Sequence, residues 1–268
     1  TAWACITEFD DVALIAAWAV LMVLGFAMWR GLTALPDEAR KVLIPTRPSW
    51  TSDLILPLAA LIVGSFATIH ILLSELPLSE FGRVTPPEVP FTDAGAAAAL
   101  IMVVATLVTG TLIGGALARR VSILIAGGIV AYAIPFEVYA WAVSVLWVGL
   151  GLLALAYIRV DRAGRLMFLV AAAGMVTASA VVAVAIVAPP TWLVVGSAAL
   201  APIVLLQAIA ALGAVVVGVV SIARTRGIGE WARWTWAAAG LLSVYLMSIA
   251  VVGVVATQVG GAIGTEEL

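Results

Sequence analysis

The stretch Tyr132 to Arg165, YAIPFEVYAWAVSVLWVGLGLLALAYIRVDRAGR, holds a polar corner, a complete apolar run and a basic stop in succession. The corner is Ile134-Pro135-Phe136-Glu137-Val138-Tyr139. From Ala140 to Ile158 no residue is charged, and at 1.5 Å per residue that run is about as long as a helix must be to cross a hydrocarbon core of roughly 30 Å. Arg159, Arg162 and Arg165 follow at once, and clustered cations of this kind are retained on the cytoplasmic side during insertion. The segment therefore reads as a transmembrane helix running from outside to inside.

Working outward, the rest of the 268 residues are of the same kind: 64% apolar, 10% charged, with a mean hydropathy of +1.21. A water-soluble domain carries about 25% charged residues, so the solvent for most of this chain is lipid. The long unbroken apolar runs exclude a β-barrel, whose strands alternate with a period of two. They point to an all-α, polytopic helical bundle. A net charge of −2 without a basic stripe gives no nucleic-acid partner. The one cysteine, Cys5, excludes an internal disulfide and offers no metal pair.

Hydropathy divides the chain into eight apolar segments: Val12–Thr33, Leu54–Ser74, Ala94–Ala118, Val121–Ile134, Ala140–Ile158, Leu166–Ala188, Ala198–Ala223 and Thr235–Val259. The fourth is short if Pro135 ends it. The seventh opens after Pro189-Pro190 and contains Pro202, which predicts an interfacial start or a kink. Basic residues test the count. With eight crossings, Arg30, Arg40, Lys41 and Arg47, then Arg119 and Arg120, then Arg159, Arg162 and Arg165, then Arg224, Arg226 and Arg233 all fall on one side, and Arg83 alone falls on the other. The positive-inside bias then gives eight spans with both ends of the chain outside and four cytoplasmic turns, in a plasma membrane. Thr1 in place of Met, and a glycine-rich finish at Gly260 to Leu268, read as the ends of a piece of a longer protein.

A weak repeat runs through this plan. Ala17-Trp18-Ala19-Val20 in the first span returns as Ala140-Trp141-Ala142-Val143 in the fifth, each after an acidic and aromatic corner. The third and seventh spans are both rich in small residues and end in closely spaced arginines. The implied architecture is four helices plus four in parallel orientation, residues 1–134 and 135–268.

The unit Pro135 to Arg165, a proline-aromatic corner, then Trp-Ala-Val-x-Val-Leu-Trp, a Gly/Leu-rich span and an arginine turn, resembles the recurring unit of the bacterial membrane-protein family known as domain of unknown function 2339. Trp236–Ser248 followed by Gly264 to Leu268 is similar to a segment preceding another such unit there. The resemblance implies a many-helix protein of repeated hairpins.

Candidate chemistry is sparse. His70 is the only histidine and, tyrosines aside, the only ionisable group well inside a span, with Glu75 five residues on. Such a pair suits cation binding or proton relay, against the competing reading of a neutral histidine bonded to a neighbouring helix. Asp10 and Asp11 stand before the first span, where membrane transferases place outward acids and where acids also complement a helix dipole. Glu137 marks the junction of the two halves. Thr106, Gln207 and Tyr245 are the polar groups that would line a path between the halves. Trp18, Trp29, Trp50, Trp141, Trp192, Trp231, Trp234 and Trp236 read as interfacial anchors, and Trp147 as a core residue. No phosphate loop, dinucleotide fingerprint, metal triad or nucleophile elbow is present, so the reading contains no cofactor, no metal and no catalytic residue. The leading expectation is a non-catalytic scaffold or subunit of a larger membrane assembly, whose partners are lipids and other membrane subunits or further parts of its own chain. A small-molecule or lipid transporter is the alternative, and an outward-facing glycosyl- or acyl-transferase the second.

Overall fold

A computed structural model describes residues 11–36, 38–39, 49–77, 89–195, 202–225 and 228–263. Among them every regular element is helical, and eight helices are long and apolar enough to cross a membrane. The chain is an all-α, multi-pass membrane protein. It divides into two compact units, residues 1–137 and 138–268.

In the first unit, α1 (Asp11–Ala34) packs on α2 (Ser49–His70) and on α3 (Ala94–Ile113), and α3 packs on α4 (Ala116–Glu137). The α3–α4 turn is made by Gly114 and Gly115, both at positive φ (76° and 79°), which residues with a Cβ rarely adopt. Arg30 donates from Nη1 to the Ile113 carbonyl at 3.5 Å and so covers the exposed end of α3. At the other end of α3, Asp93 is the N-cap, its Oδ1 accepting from the Ala96 N–H at 2.7 Å.

The second unit repeats this order. α5 (Ala140–Tyr157) packs on α6 (Arg165–Val182) and on α7 (Pro202–Ala223), and α7 packs on α8 (Trp231–Ile263). One proline expectation changes. Pro135 lies within the last turn of α4 and does not end it, because a proline so near a C-terminus removes only one backbone bond; the fourth span is a full 22 residues. Pro202 is the first residue of α7, a position that suits it, since its missing N–H is one the first turn leaves unused anyway; a separate short helix, Thr191–Val195, precedes it.

The two units match residue by residue. On α2 the buried positions are Ala60, Gly64, Ala67, Ile71 and Leu76, counting the turn that follows the helix; on α6 they are Ala172, Val176, Ser179, Ala183 and Ala188, displaced by 112 residues (Leu76 to Ala188), together with Phe168, whose counterpart Leu56 is half-buried. A shift of 113 (Gly95 to Ala208) carries Gly95, Ala98, Ala99, Met102, Ala105, Thr109 and Gly110 of α3 onto Ala208, Ala211, Leu212, Val215, Gly218, Ile222 and Ala223 of α7, all buried. The same shift carries Ala126, Tyr132 and Phe136 onto Ala239, Tyr245 and Ile249. On the first helices, Leu14, Ile15, Trp18, Ala19 and Met22 correspond to Val143, Ser144, Trp147, Val148 and Gly151. Trp18 is thus the counterpart of Trp147, and the shared Ala-Trp-Ala-Val string, which aligns it with Trp141, is out of register with the packing. Trp18 is also a core residue and not an interfacial anchor: it lies on the buried stripe of α1, two turns from the helix start.

Small and large residues exchange sides between the units. Met22 of α1 lies over Gly64 of α2, whereas Val176 of α6 lies over Gly151 of α5. Where the first unit buries Ile15 and Ala67, the second buries Ser144 and Ser179. These serines bond across α5 and α6: Ser179 Oγ donates to the Ser144 carbonyl at 2.7 Å, and Ser144 Oγ reaches the Ser179 carbonyl at 3.4 Å. Ser179→Ala is expected to lower stability by about 1 kcal/mol, and Ser144→Ala by less because its bond is longer. Thermal unfolding of the two variants in detergent ranks them, and the reverse order would refute the assignment.

Candidate functional site

Polar chemistry gathers at the end of the first unit opposite Arg30 and the α3–α4 turn. There α2 widens into a π-turn, Ile71–Glu75, closed by the Leu76 N–H donating to the Ile71 carbonyl at 2.8 Å. Pro77 is the cause: the residue before a proline is driven out of the α region, and Leu76 stands at φ −134°, ψ 65°. The released Leu76 carbonyl accepts from the Tyr132 hydroxyl of α4. The second unit repeats the device. Ala183–Val187 is a π-turn, Ala188 before Pro189 stands at φ −137°, ψ 73°, and the Tyr245 hydroxyl of α8 donates to the Ala188 carbonyl.

Among the described residues, the second unit has no counterpart of the carboxyl group at this end of the first. Glu137, the last residue of α4, is fully buried. Its Oε2 accepts from the Phe91 N–H at 2.7 Å. Phe91 is the one non-glycine residue at positive φ among those described (64°), a conformation that costs an aromatic residue of order 1–3 kcal/mol. Thr92 tightens the same turn, its hydroxyl donating to the Val89 carbonyl at 2.7 Å. The other carboxylate oxygen of Glu137, Oε1, has no hydrogen-bond partner among the described residues, and the Asp93 side chain neighbours the carboxyl group.

No protein-family model, no curated protein and no solved structure matches the chain. The site is therefore read from its own residues. His70 is the last residue of α2, half-buried, with its ring edge-on to Trp18 at 5.7 Å; Phe66 lies on the same indole at 6.2 Å. Glu75 closes the π-turn and is half-buried. Asp10 and the side chain of Asp11 lie outside the described residues. Thr106 is half-buried on α3 in the first unit; Gln207, half-buried on α7, and Tyr245 belong to the second. Tyr245 serves as a helix latch within its own unit.

Glu137 was legible as a candidate, but two residues of its site were not. Asp93 is 44 positions away in sequence (Asp93 to Glu137) and signals itself only as a helix N-cap. Tyr132 reads from sequence as one more aromatic in an apolar run. The duplicated Leu-Pro and Ala-Pro steps at Leu76-Pro77 and Ala188-Pro189, each with a tyrosine 56 or 57 residues later, were the available signal.

Proposed function

We propose that this chain is a non-catalytic structural module of a larger membrane assembly, seated in a bacterial plasma membrane with its arginine-bearing turns in the cytoplasm. The observation that carries the reading is how little of each span the chain covers for itself. Between 17 and 39% of each span's most apolar stretch is buried, the least on α8. Leu241, Val244, Met247 and Val251 line one exposed flank of α8, beside a shallow groove of about 540 Å³ that also takes in Ser243 and Ser248. Ser144 with Ser179, Tyr132 and Tyr245 lock neighbouring segments together, and other hydroxyls in the spans, such as Ser65, Thr68 and Ser243, bond their own helix. Wide apolar faces on a stiff frame suit lipid and neighbouring helices. The resemblance to a family of repeated hairpins fits the same reading.

The paired π-turns favour one second reading. Interrupted helices at corresponding positions of two repeats are where repeat-built transporters place their substrates. The test is native mass. Extracted into lipid nanodiscs without detergent, the protein is expected to run well above its own 27.6 kDa, and a cysteine at Met247 is expected to cross-link to another membrane chain. A lone chain that moves solute across proteoliposomes would transfer the assignment to a transporter.

A further inference from the structure

We propose that Glu137 and Asp93 together bind one proton, with Glu137 protonated on Oε1 and donating to the Asp93 carboxylate, and that this proton clamps the Phe91 turn to the end of α4. The inference goes beyond the scaffold reading and does not rest on it. Three observations carry it. Glu137 is fully buried, and one of its oxygens has no partner among the described residues. A buried carboxylate oxygen left so is costly, because nothing replaces the water it gave up. The side chain that neighbours the Glu137 carboxyl, two residues beyond the Phe91 N–H it holds, is a second carboxylate, which only accepts hydrogen bonds when ionised. A proton on Oε1 satisfies both at once: the neutral acid becomes a donor and the repulsion between two negative charges is removed.

Each remaining oxygen already has its role. Glu137 Oε2 holds the Phe91 N–H and Asp93 Oδ1 holds the Ala96 N–H, so the free positions on the two groups are the ones left to share a proton. Asp93 is exposed and connects the buried acid to solvent, the path by which the proton enters and leaves. The other titratable groups described at this end of the unit are Glu75 and His70, on the strand of chain that ends α2, and Tyr132, whose hydroxyl is committed to Leu76. None of these three neighbours the Glu137 carboxyl; Asp93 does. When the proton departs to water, two carboxylates remain side by side and the Phe91 turn, strained at φ 64°, loses its anchor. The pair thus stabilises this end of the unit while it holds the proton, and the contribution disappears as pH rises and the proton leaves.

Infrared spectroscopy of the full chain in nanodiscs reads the proton directly. At neutral pH the wild type is expected to show a carboxylic-acid C=O band that shifts in D2O. Glu137→Gln, which keeps an acceptor for Phe91 and gains a donor toward Asp93, should lose that band and keep its fold. Asp93→Asn retains the helix cap and the glutamate, yet should lose the band too, because an amide facing Glu137 lets it ionise; a purely structural role for Asp93 would leave the band in place. In parallel, the thermal midpoint of wild type should fall by about 3–5 °C per pH unit once the proton begins to leave, and that of Glu137→Gln should not. A spectrum without the band, or a band that survives in both variants, overturns the proposal. Absence of the band together with a midpoint that climbs with sodium or calcium concentration would put a metal cation where the proton is placed here.

Discussion

Gly110→Val is expected to force α3 from α4 and cost about 3 kcal/mol, a fall of roughly 6–12 °C in thermal midpoint for a chain of this size. Both Gly110 and Ser122 are buried at this crossing. A Cβ on Gly110 would overlap the Ser122 hydroxyl oxygen, sit 2.5 Å from the Ser122 Cβ and 3.4 Å from the Ala118 carbonyl. Ser122 cannot easily swing aside, because its hydroxyl is bonded to the Arg119 carbonyl at 3.0 Å. Replacing a mid-helix glycine by alanine ordinarily gains up to about 1 kcal/mol, so even Gly110→Ala tests the contact by the sign of its effect. The expected sign is destabilising, and Gly110→Ala with Ser122→Gly is expected to recover most of the loss. In the second unit Ala223 and Thr235 hold the matching positions, and a Cβ is already accommodated there. Ala223→Val should therefore cost less than Gly110→Val. Equal midpoints for wild type and Gly110→Val would show that α3 and α4 do not meet at this glycine.

How far the sequence could carry these conclusions is visible at single residues. The charge-free run Ala140–Ile158 corresponds to α5 within a residue or so, since nothing but a helix satisfies its backbone in lipid. The placement of arginines gave the number of helices for an independent reason, their cost of translocation. Pro135 misled because the effect of a proline depends on how many turns follow it, and a sequence alone does not show where α4 begins. That beginning is set by the positive-φ pair Gly114-Gly115, which also draws Arg119 and Arg120 into the helix. The repeat was only half legible. Its packing register survives while the residues filling it trade places, Met22 against Gly151 and Gly64 against Val176, so identity decays where volume is conserved. A string match such as Ala-Trp-Ala-Val then points to the wrong register. The candidate site shows the same limit. A carboxylate at a corner can be noticed, but its partners come from the turn before α3, and no pattern within one helix brings them together.

The tyrosine latches are where the repeat makes its largest energetic claim. Tyr132→Phe and Tyr245→Phe each delete one hydroxyl and leave one carbonyl, Leu76 or Ala188, without its donor at a helix end that Pro77 or Pro189 has already deprived of a continuing backbone bond. A buried carbonyl so orphaned costs about 1–3 kcal/mol, although hydrogen bonds in membrane proteins average lower, near 0.6 kcal/mol, when the loosened state finds other partners. Here the competing partners are few. Tyr132 is held against Phe136 at 5.4 Å, and Tyr245 packs against the core of the second unit, so neither carbonyl gains a ready substitute. The expected result is a similar loss for each variant, and a double variant whose loss equals the sum, because each latch acts within its own unit. Hydrogen exchange locates the effect: amides of Ile71–Leu76 should lose protection in Tyr132→Phe alone, and those of Ala183–Ala188 in Tyr245→Phe alone. Two variants with unequal losses, or protection lost in the distant π-turn, would mean that the shared geometry of the two latches does not reflect a shared role. Equal and local losses would establish that the unit of this architecture is a four-helix module closed by a tyrosine, used twice.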